Sequence, residues 1–91
     1  MQFKKEEVAV MFHAVVFGND GKPKTYAFPQ LIDAGSSVKS FQGGVEADGS
    51  FQDAEIELSD DVKKLVIDQI NGREWAATDA ELVTSLLEKL K

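Results

Sequence analysis

The side chains best suited to chemistry in this chain are a single histidine, His13, and a group of carboxylates between residues 46 and 57. Histidine ordinarily titrates near neutral pH, so His13 could serve as an acid, a base or a metal ligand. Catalysis would also require a nucleophile or an orienting acid, and a metal site would require further ligands. The chain has no second histidine and no cysteine. We therefore expect a partly buried His13 that forms one hydrogen bond.

The carboxylates form the second candidate group, because the predicted strands place them on one face. We call this set the acidic surface: Glu46, Asp53, Glu55 and Glu57. Alternate strand positions lie about 7 Å apart, which suits a glycosidase pair, but a flat strand face provides no cleft. The turns at 18–21 and 47–50 are too short for a calcium loop. The sequence predicts no enzyme activity, no catalytic residue, no metal site and no cofactor.

The acidic surface instead predicts binding of a basic protein, with Phe51 as an apolar anchor among the charges. An aromatic residue surrounded by charged ones is typical of interaction hot spots, and complementary charge mainly raises the association rate. Mimicry of nucleic acid is a weaker variant, because the charge is modest. A solvated face that prevents edge pairing remains an alternative, as does a Phe51 that merely covers the turn.

Net charge and hydropathy limit the other classes of partner. The net charge is −6 and the basic residues are dispersed, so we expect no binding to nucleic acid or to anionic membranes. No apolar run reaches the roughly 18–20 residues that a bilayer span requires. Residues 8–17 resemble a weak signal peptide, but acids precede them and no cleavage site follows. We expect a cytoplasmic protein.

The length of 91 residues predicts one domain over residues 1–91. Small size, acidity and the absence of cysteine suit many accessory or regulatory proteins of bacteria and their phages. These properties of composition leave the specific partner undefined.

Residues 8–17 are predicted to form a central strand, because β-branched and aromatic residues dominate and both faces are apolar. A helix is the alternative, since Lys4 to Glu7 would make an acceptable first turn. Residues 24–28 predict a short edge strand, because a proline lies at each end. The segment 30–36 is expected to be irregular, with its Leu31 and Ile32 in the core.

A β-hairpin is predicted from residues 37–46 and 51–58, because Asp48-Gly49 between alternating runs is a strong turn signal. A two-residue turn would place Val45 opposite Gln52. The inner face would then carry the apolar residues and the outer face the acidic surface. Gly43 and Gly44 would form a bulge or bend within this hairpin.

Two C-terminal helices are predicted over residues 60–71 and 79–90 from their apolar stripes and caps. Ser59 caps the first, and Thr78 with Glu81 forms a capping box for the second. Strands followed by helices predict an α+β fold, with an antiparallel sheet of about four strands and the two helices packed on one face.

This arrangement leaves one face of the first strand without a predicted cover. The residues concerned are Met11, His13, Val15 and Phe17, together with Ala9. An apolar strip of this length exceeds what soluble monomers usually expose. A helix that crosses to this side, the irregular segment 30–36 or another chain could cover it. In the last case, the alternative function is a structural subunit that forms a homodimer or larger homo-oligomer through this strip.

Overall fold

A computed structural model of the protein describes residues 1–91. The main elements are α1 (Lys5–Val16), α2 (Gln30–Phe41), α3 (Asp60–Asn71) and α4 (Ala80–Leu90). Two short strands, β1 (Gln2–Phe3) and β2 (Ala54–Glu55), form an antiparallel pair. The prediction of an α+β fold with a sheet of about four strands is therefore wrong. Most of the chain is helical, and the sheet is minimal.

The helices surround a single hydrophobic core of 17 buried apolar residues. Helix α1 lies at its centre and packs against α2, α3 and α4. Lys89 of α4 donates a hydrogen bond to the buried carboxylate of Glu7 in α1 at 2.9 Å, which joins the ends of these two helices. None of the helices is both long and apolar enough to span a membrane.

Residues 8–17, predicted as a central strand, belong to α1 and its C-terminal end. Val8, Met11 and Val15 are buried at helical spacing. A segment that is apolar on every side has the same pattern in a central helix as in a central strand. The helical alternative is the correct one. In its first turn, the Glu7 carboxylate accepts a hydrogen bond from the Lys4 N–H at 2.9 Å. Packing has overridden the weak strand preference of the β-branched residues.

Residues 24–28, predicted as an edge strand, have no regular secondary structure. The segment lies against the end of α1, where the Lys24 N–H donates to the Val16 carbonyl at 2.8 Å. The Tyr26 hydroxyl donates to the Val15 carbonyl at 2.6 Å. Because the preceding apolar segment is a helix, no strand is present for residues 24–28 to pair with.

Residues 37–46, predicted as the first hairpin strand, lie mainly in α2 and the 3₁₀ turn Gln42–Gly44. Helix α2 begins within the segment predicted to be irregular. Its buried positions follow helical spacing: Ala34, Ser37 and Phe41. Gly35 and the neighbouring serines lower the helix propensity, so tertiary packing rather than local preference stabilises this helix.

The Asp48-Gly49 turn is present, but its loop contains three residues, 47–49, instead of two, because the Glu46 N–H donates to the Ser50 carbonyl at 2.8 Å. Gly49 has a φ of +86°, which provides the left-handed residue that such a loop requires. Val45 consequently pairs with Phe51 and not with Gln52. This isolated bridge is the whole of the hairpin pairing, so the predicted long β-hairpin is wrong.

Residues 51–58 contribute only the two residues of β2, which pair with β1 at the start of the chain. The predicted alternation of side chains still holds around it. Ala54 and Ile56 are buried, while Asp53, Glu55 and Glu57 are exposed. The error therefore concerns the partner of this strand and not the direction of its side chains.

The C-terminal helices lie where the sequence predicts them, but they pack differently. Helix α3 spans residues 60–71, and the Ser59 hydroxyl accepts a hydrogen bond from the Val62 N–H at 3.3 Å. Helix α4 follows the 3₁₀ turn Ala77–Asp79, and the predicted capping box of Thr78 and Glu81 does not form. Helix α3 packs on α1 and α2, and α4 packs on α1 and α3. There is no broad sheet face to receive them.

Candidate functional site

The acidic surface lies on an exposed segment, and two of its carboxylates face the start of the chain. The Met1 amine lies 2.7 Å from Glu55 Oε1 and 3.5 Å from Glu57 Oε1. The hydrogen bond to Glu55 raises the pKa of this amine, and the nearby negative charges add to the effect. The amine therefore offsets the repulsion between the two carboxylates.

The other two carboxylates of the acidic surface also have partners within the chain. Asp53 Oδ1 accepts a hydrogen bond from the Lys5 N–H at 2.8 Å, at the first residue of α1. A carboxylate there compensates an unpaired backbone donor and the positive end of the helix dipole. Glu46 accepts a hydrogen bond from the Ser50 hydroxyl at 3.3 Å across the turn. Each of the four carboxylates thus has a local role.

Phe51 packs against α1 and is not the exposed centre of the acidic surface. Its ring is 5.6 Å from that of Phe12 and 5.5 Å from that of His13, between ring centroids. Both contacts are edge-to-face, the arrangement that aromatic rings prefer. Pairing of Phe51 with Val45 turns its side chain toward the core, in keeping with the one-residue change in register.

His13 lies among aromatic rings at the end of α1 and is half-buried. Its ring forms no hydrogen bond within the chain, so the prediction of one is wrong, and no carboxylate contacts it. Burial lowers the pKa of His13, and the positive charge of Arg73 lowers it further. An open pocket of about 260 Å³ lies beside His13, lined also by Phe17, Gly21 and Arg73.

Arg73 has a role that the sequence did not reveal. Its Nη1 donates to the carbonyl oxygens of Phe17 at 2.6 Å and Gly18 at 2.9 Å, just beyond α1. Its guanidinium also lies 5.2 Å from the centre of the Trp75 ring. A cation at the negative end of a helix is stabilising. These contacts join residues about fifty-five positions apart, and no local motif signals them.

The candidate oligomer strip does not exist as an exposed surface. Met11 is fully buried and Val15 is 1% exposed, both within the core of the same chain. His13 and Phe17 are half-buried near Arg73. Other helices provide the cover that the predicted sheet lacked, so the premise for a dimer through this strip is wrong.

A different surface exposes large apolar side chains. Phe28 is 75% exposed, Ile32 is 60% exposed and Leu31 is 43% exposed. The prediction that Leu31 and Ile32 enter the core is wrong. They lie on the first turn of α2, whose buried side is formed by other residues. The spacing of Ala34, Ser37 and Phe41 could have indicated that Leu31 and Ile32 face outward, had the segment been predicted as helical.

One of these exposed side chains, Leu31, also lines an open groove of about 230 Å³. It is bounded by the end of α1, by residues 23–26 and by one side of α2. The α2 wall consists of Leu31, Ala34, Gly35 and Val38. We call the groove and the exposed Phe28, Leu31 and Ile32 the apolar surface.

No group of three or more histidine, cysteine, aspartate or glutamate side chains converges in a way that could hold a metal ion. The structure contains two surfaces of interest, the acidic surface and the apolar surface, and a half-buried histidine that contacts aromatic rings and lines an open pocket. Comparison with protein-family models, with curated proteins and with solved structures gives no match for this chain.

Proposed function

We propose that this chain is a non-enzymatic module that binds another protein through its apolar surface. The observation that carries the proposal is the exposure of Phe28 and Ile32, at 75% and 60%, close in sequence to Leu31, which lines an open apolar groove. Clustered exposed apolar side chains are typical of interaction sites. In this proposal the module is cytoplasmic, which is compatible with a chain that contains no cysteine.

The surroundings of His13 support a binding function over a catalytic one. An acid–base catalyst needs a partner within hydrogen-bond reach and access to a substrate. His13 instead contacts the rings of Phe12, Phe17 and Phe51. The charged group that lowers the pKa of His13 is the Arg73 guanidinium, which is already bound to backbone carbonyl oxygens.

Affinity capture from the source cells with Ile32→Lys tests this proposal. Ile32 is exposed, so the substitution places a charge on the apolar surface without disturbing the core. Thr84→Lys is the matched control, because Thr84 is an exposed residue of α4 and the change in charge is the same. We expect the wild type and Thr84→Lys to retain a common stoichiometric partner that Ile32→Lys loses.

The thermal unfolding of both variants, followed by circular dichroism, should match that of the wild type. Capture of the same partner by all three proteins would contradict the proposed surface. Loss of the partner by Thr84→Lys as well would show that the added charge acts nonspecifically, and it would also contradict the proposal.

The second candidate is binding of a basic protein through the acidic surface. It is favoured by the exposure of all four carboxylates, with no lysine or arginine side chain paired to them. Phe51 is not an anchor in this version, because it packs on α1. Partner binding should weaken strongly with salt and be abolished by Glu55→Lys combined with Glu57→Lys. Binding that survives both changes would exclude this candidate.

A further inference from the structure

We propose that the apolar surface binds an amphipathic α-helix of a partner protein, with an apolar stripe flanked by aspartate or glutamate. This inference rests on the proposed function and adds the chemistry of the partner. Two independent observations carry it: the shape of the groove and the distribution of charge around it.

The groove follows the axis of α2. Leu31, Gly35 and Val38 line it at spacings of four and three residues, over about 10 Å of helix. Apart from adjacent atoms of its own helix, no atom lies within 4 Å of the position that a Cβ on Gly35 would occupy, so the middle of this wall is low and open. A second helix could therefore approach closely and place its apolar stripe along the groove.

The size of the groove favours side chains of a protein over a small ligand. Its volume is about 230 Å³, whereas small-molecule pockets usually hold about 300–1,000 Å³ and enclose most of the ligand. Its lining is mostly aliphatic, with Tyr26 and Lys24 as the polar contributors. The Lys24 ammonium is already bound to the Ala14 carbonyl at 2.7 Å and to Gln69 Oε1 at 2.8 Å.

The chain segment that forms most of the groove is opposite in net charge to the whole molecule. Residues 21–45 contain three lysines and one aspartate, for a net charge of +2, whereas residues 46–91 contain five basic and twelve acidic residues, for a net charge of −7. Lys22 and Lys39 lie one residue beyond the lining residues Pro23 and Val38. Both are exposed and neither forms an ion pair, so acidic side chains of a partner could reach them.

The same charges disfavour the other occupants of an apolar groove. A symmetric contact with a second copy would set two segments of the same net positive charge against each other, and like charges oppose that arrangement. An anionic bilayer would attract the lysines but repel a protein with a net charge of −6. A concave groove also suits an inserted side chain better than a flat membrane surface.

Two synthetic peptides of equal length test the partner's chemistry. Both carry leucines at the helical positions i, i+4 and i+7, and they differ only in glutamate or lysine at the flanking positions. Isothermal titration against the intact protein at low salt should show at least about tenfold tighter binding of the glutamate peptide, a difference of about 1.4 kcal/mol. Ile32→Lys should remove binding of the glutamate peptide, and Thr84→Lys should leave it unchanged.

The combined variant Lys22→Glu and Lys39→Glu should reverse the preference between the peptides. Equal binding of both peptides, or binding of neither, would overturn the inference. So would tight binding to phosphatidylglycerol vesicles without peptide binding, or a dimer in light scattering that Ile32→Lys dissociates. If captured partners depend on Ile32 but neither peptide binds, the proposed function stands and this inference fails. If capture is independent of Ile32, the proposed function itself fails.

Discussion

The acidic surface and the apolar surface differ in how far their side chains serve the fold itself. On the acidic surface, Asp53 binds the start of α1 and Glu55 binds the Met1 amine. On the apolar surface, Phe28 and Ile32 are mostly exposed, so they contribute little to the burial that stabilises the chain. The acidic surface is the more conspicuous of the two in the sequence, but contacts within the chain already account for its carboxylates.

This contrast shows how charge and exposed apolar area differ as signals of function. An exposed carboxylate costs little, because water solvates it and salt screens it. Exposed apolar side chains forgo the favourable transfer from water, about 25 cal/mol per Å². A cluster of them beside a groove therefore indicates binding more strongly than a cluster of acids does.

The largest expected effect is a difference in stability between substitutions on the buried side and on the exposed side of α2. Phe41→Ala should lower the free energy of unfolding by about 3–5 kcal/mol, because Phe41 is fully buried and the substitution leaves a cavity. Ile32→Ala should change it by no more than about 0.5 kcal/mol, because the side chain is exposed. Urea unfolding followed by circular dichroism measures both. A comparable cost for Ile32→Ala would mean that the apolar surface is structural, and the contrast between the surfaces would fail.

Replacing one glycine near each surface by alanine should change the free energy of unfolding in opposite directions. A Cβ on Gly44, just before the acidic surface, would lie 2.8 Å from Val8 Cγ1 and 3.3 Å from the Gln52 carbonyl oxygen. Because Val8 is fully buried, Gly44→Ala should cost about 1–3 kcal/mol.

Gly35→Ala on the apolar surface is the matched change. Apart from adjacent atoms of its own helix, its Cβ would meet no atom within 4 Å, and alanine is the better helix former by about 0.5–1 kcal/mol. The same urea titration should therefore show a stabilised variant. Destabilisation by Gly35→Ala would indicate that this face of α2 is already covered within the chain.

The smallest expected effect concerns pH and the cover that Phe51 provides over His13. Because the pKa of His13 is lowered in the folded state, the unfolded chain binds the proton more readily. The corresponding stability is present above the ordinary histidine pKa of about 6.5 and is lost as pH falls through the folded-state pKa. The urea midpoint should thus be lower at about pH 5.5 than at about pH 7.5. Carboxylates remain largely ionised at both pH values, so they contribute little to this difference.

His13→Gln should reduce this dependence on pH. Titration of the His13 ring by NMR measures the pKa directly, and Phe51→Ala should move it toward the ordinary value by increasing exposure to water. An unchanged pKa in Phe51→Ala would show that Phe51 does not control the environment of His13. Phe51 would then again be a candidate for contact with a partner.

Local signals predicted the helical segments that have a polar face and a clear beginning. Helix α3 has charged residues opposite its buried Val62, Leu65 and Ile70, and Ser59 caps it as expected. Helix α1 has no comparable polar face, so its pattern could not separate a central strand from a central helix. Choosing the strand for residues 8–17 led to the incorrect predictions of a broad sheet, of an exposed apolar strip and of a dimer through that strip.

The candidate sites follow the same distinction. Exposure of Asp53, Glu55 and Glu57 followed from alternation around β2, which is a local property. The contact of Phe51 with α1 depended on a loop longer by one residue, which a pattern of Asp and Gly does not specify. The apolar surface depended on the orientation of α2, which is set by the helices packed against its other side.

The sequence by itself determined the net charge, the two C-terminal helices, the turn at Gly49 and the exposure of the carboxylates near β2. Each depends on residue type or on neighbours a few positions away. Only the tertiary structure decided that residues 8–17 are helical, that Arg73 binds the end of α1, and that Leu31 and Ile32 face outward. Those outcomes depend on which distant elements compete for the same buried surface, because the core accepts whichever faces pack together most completely.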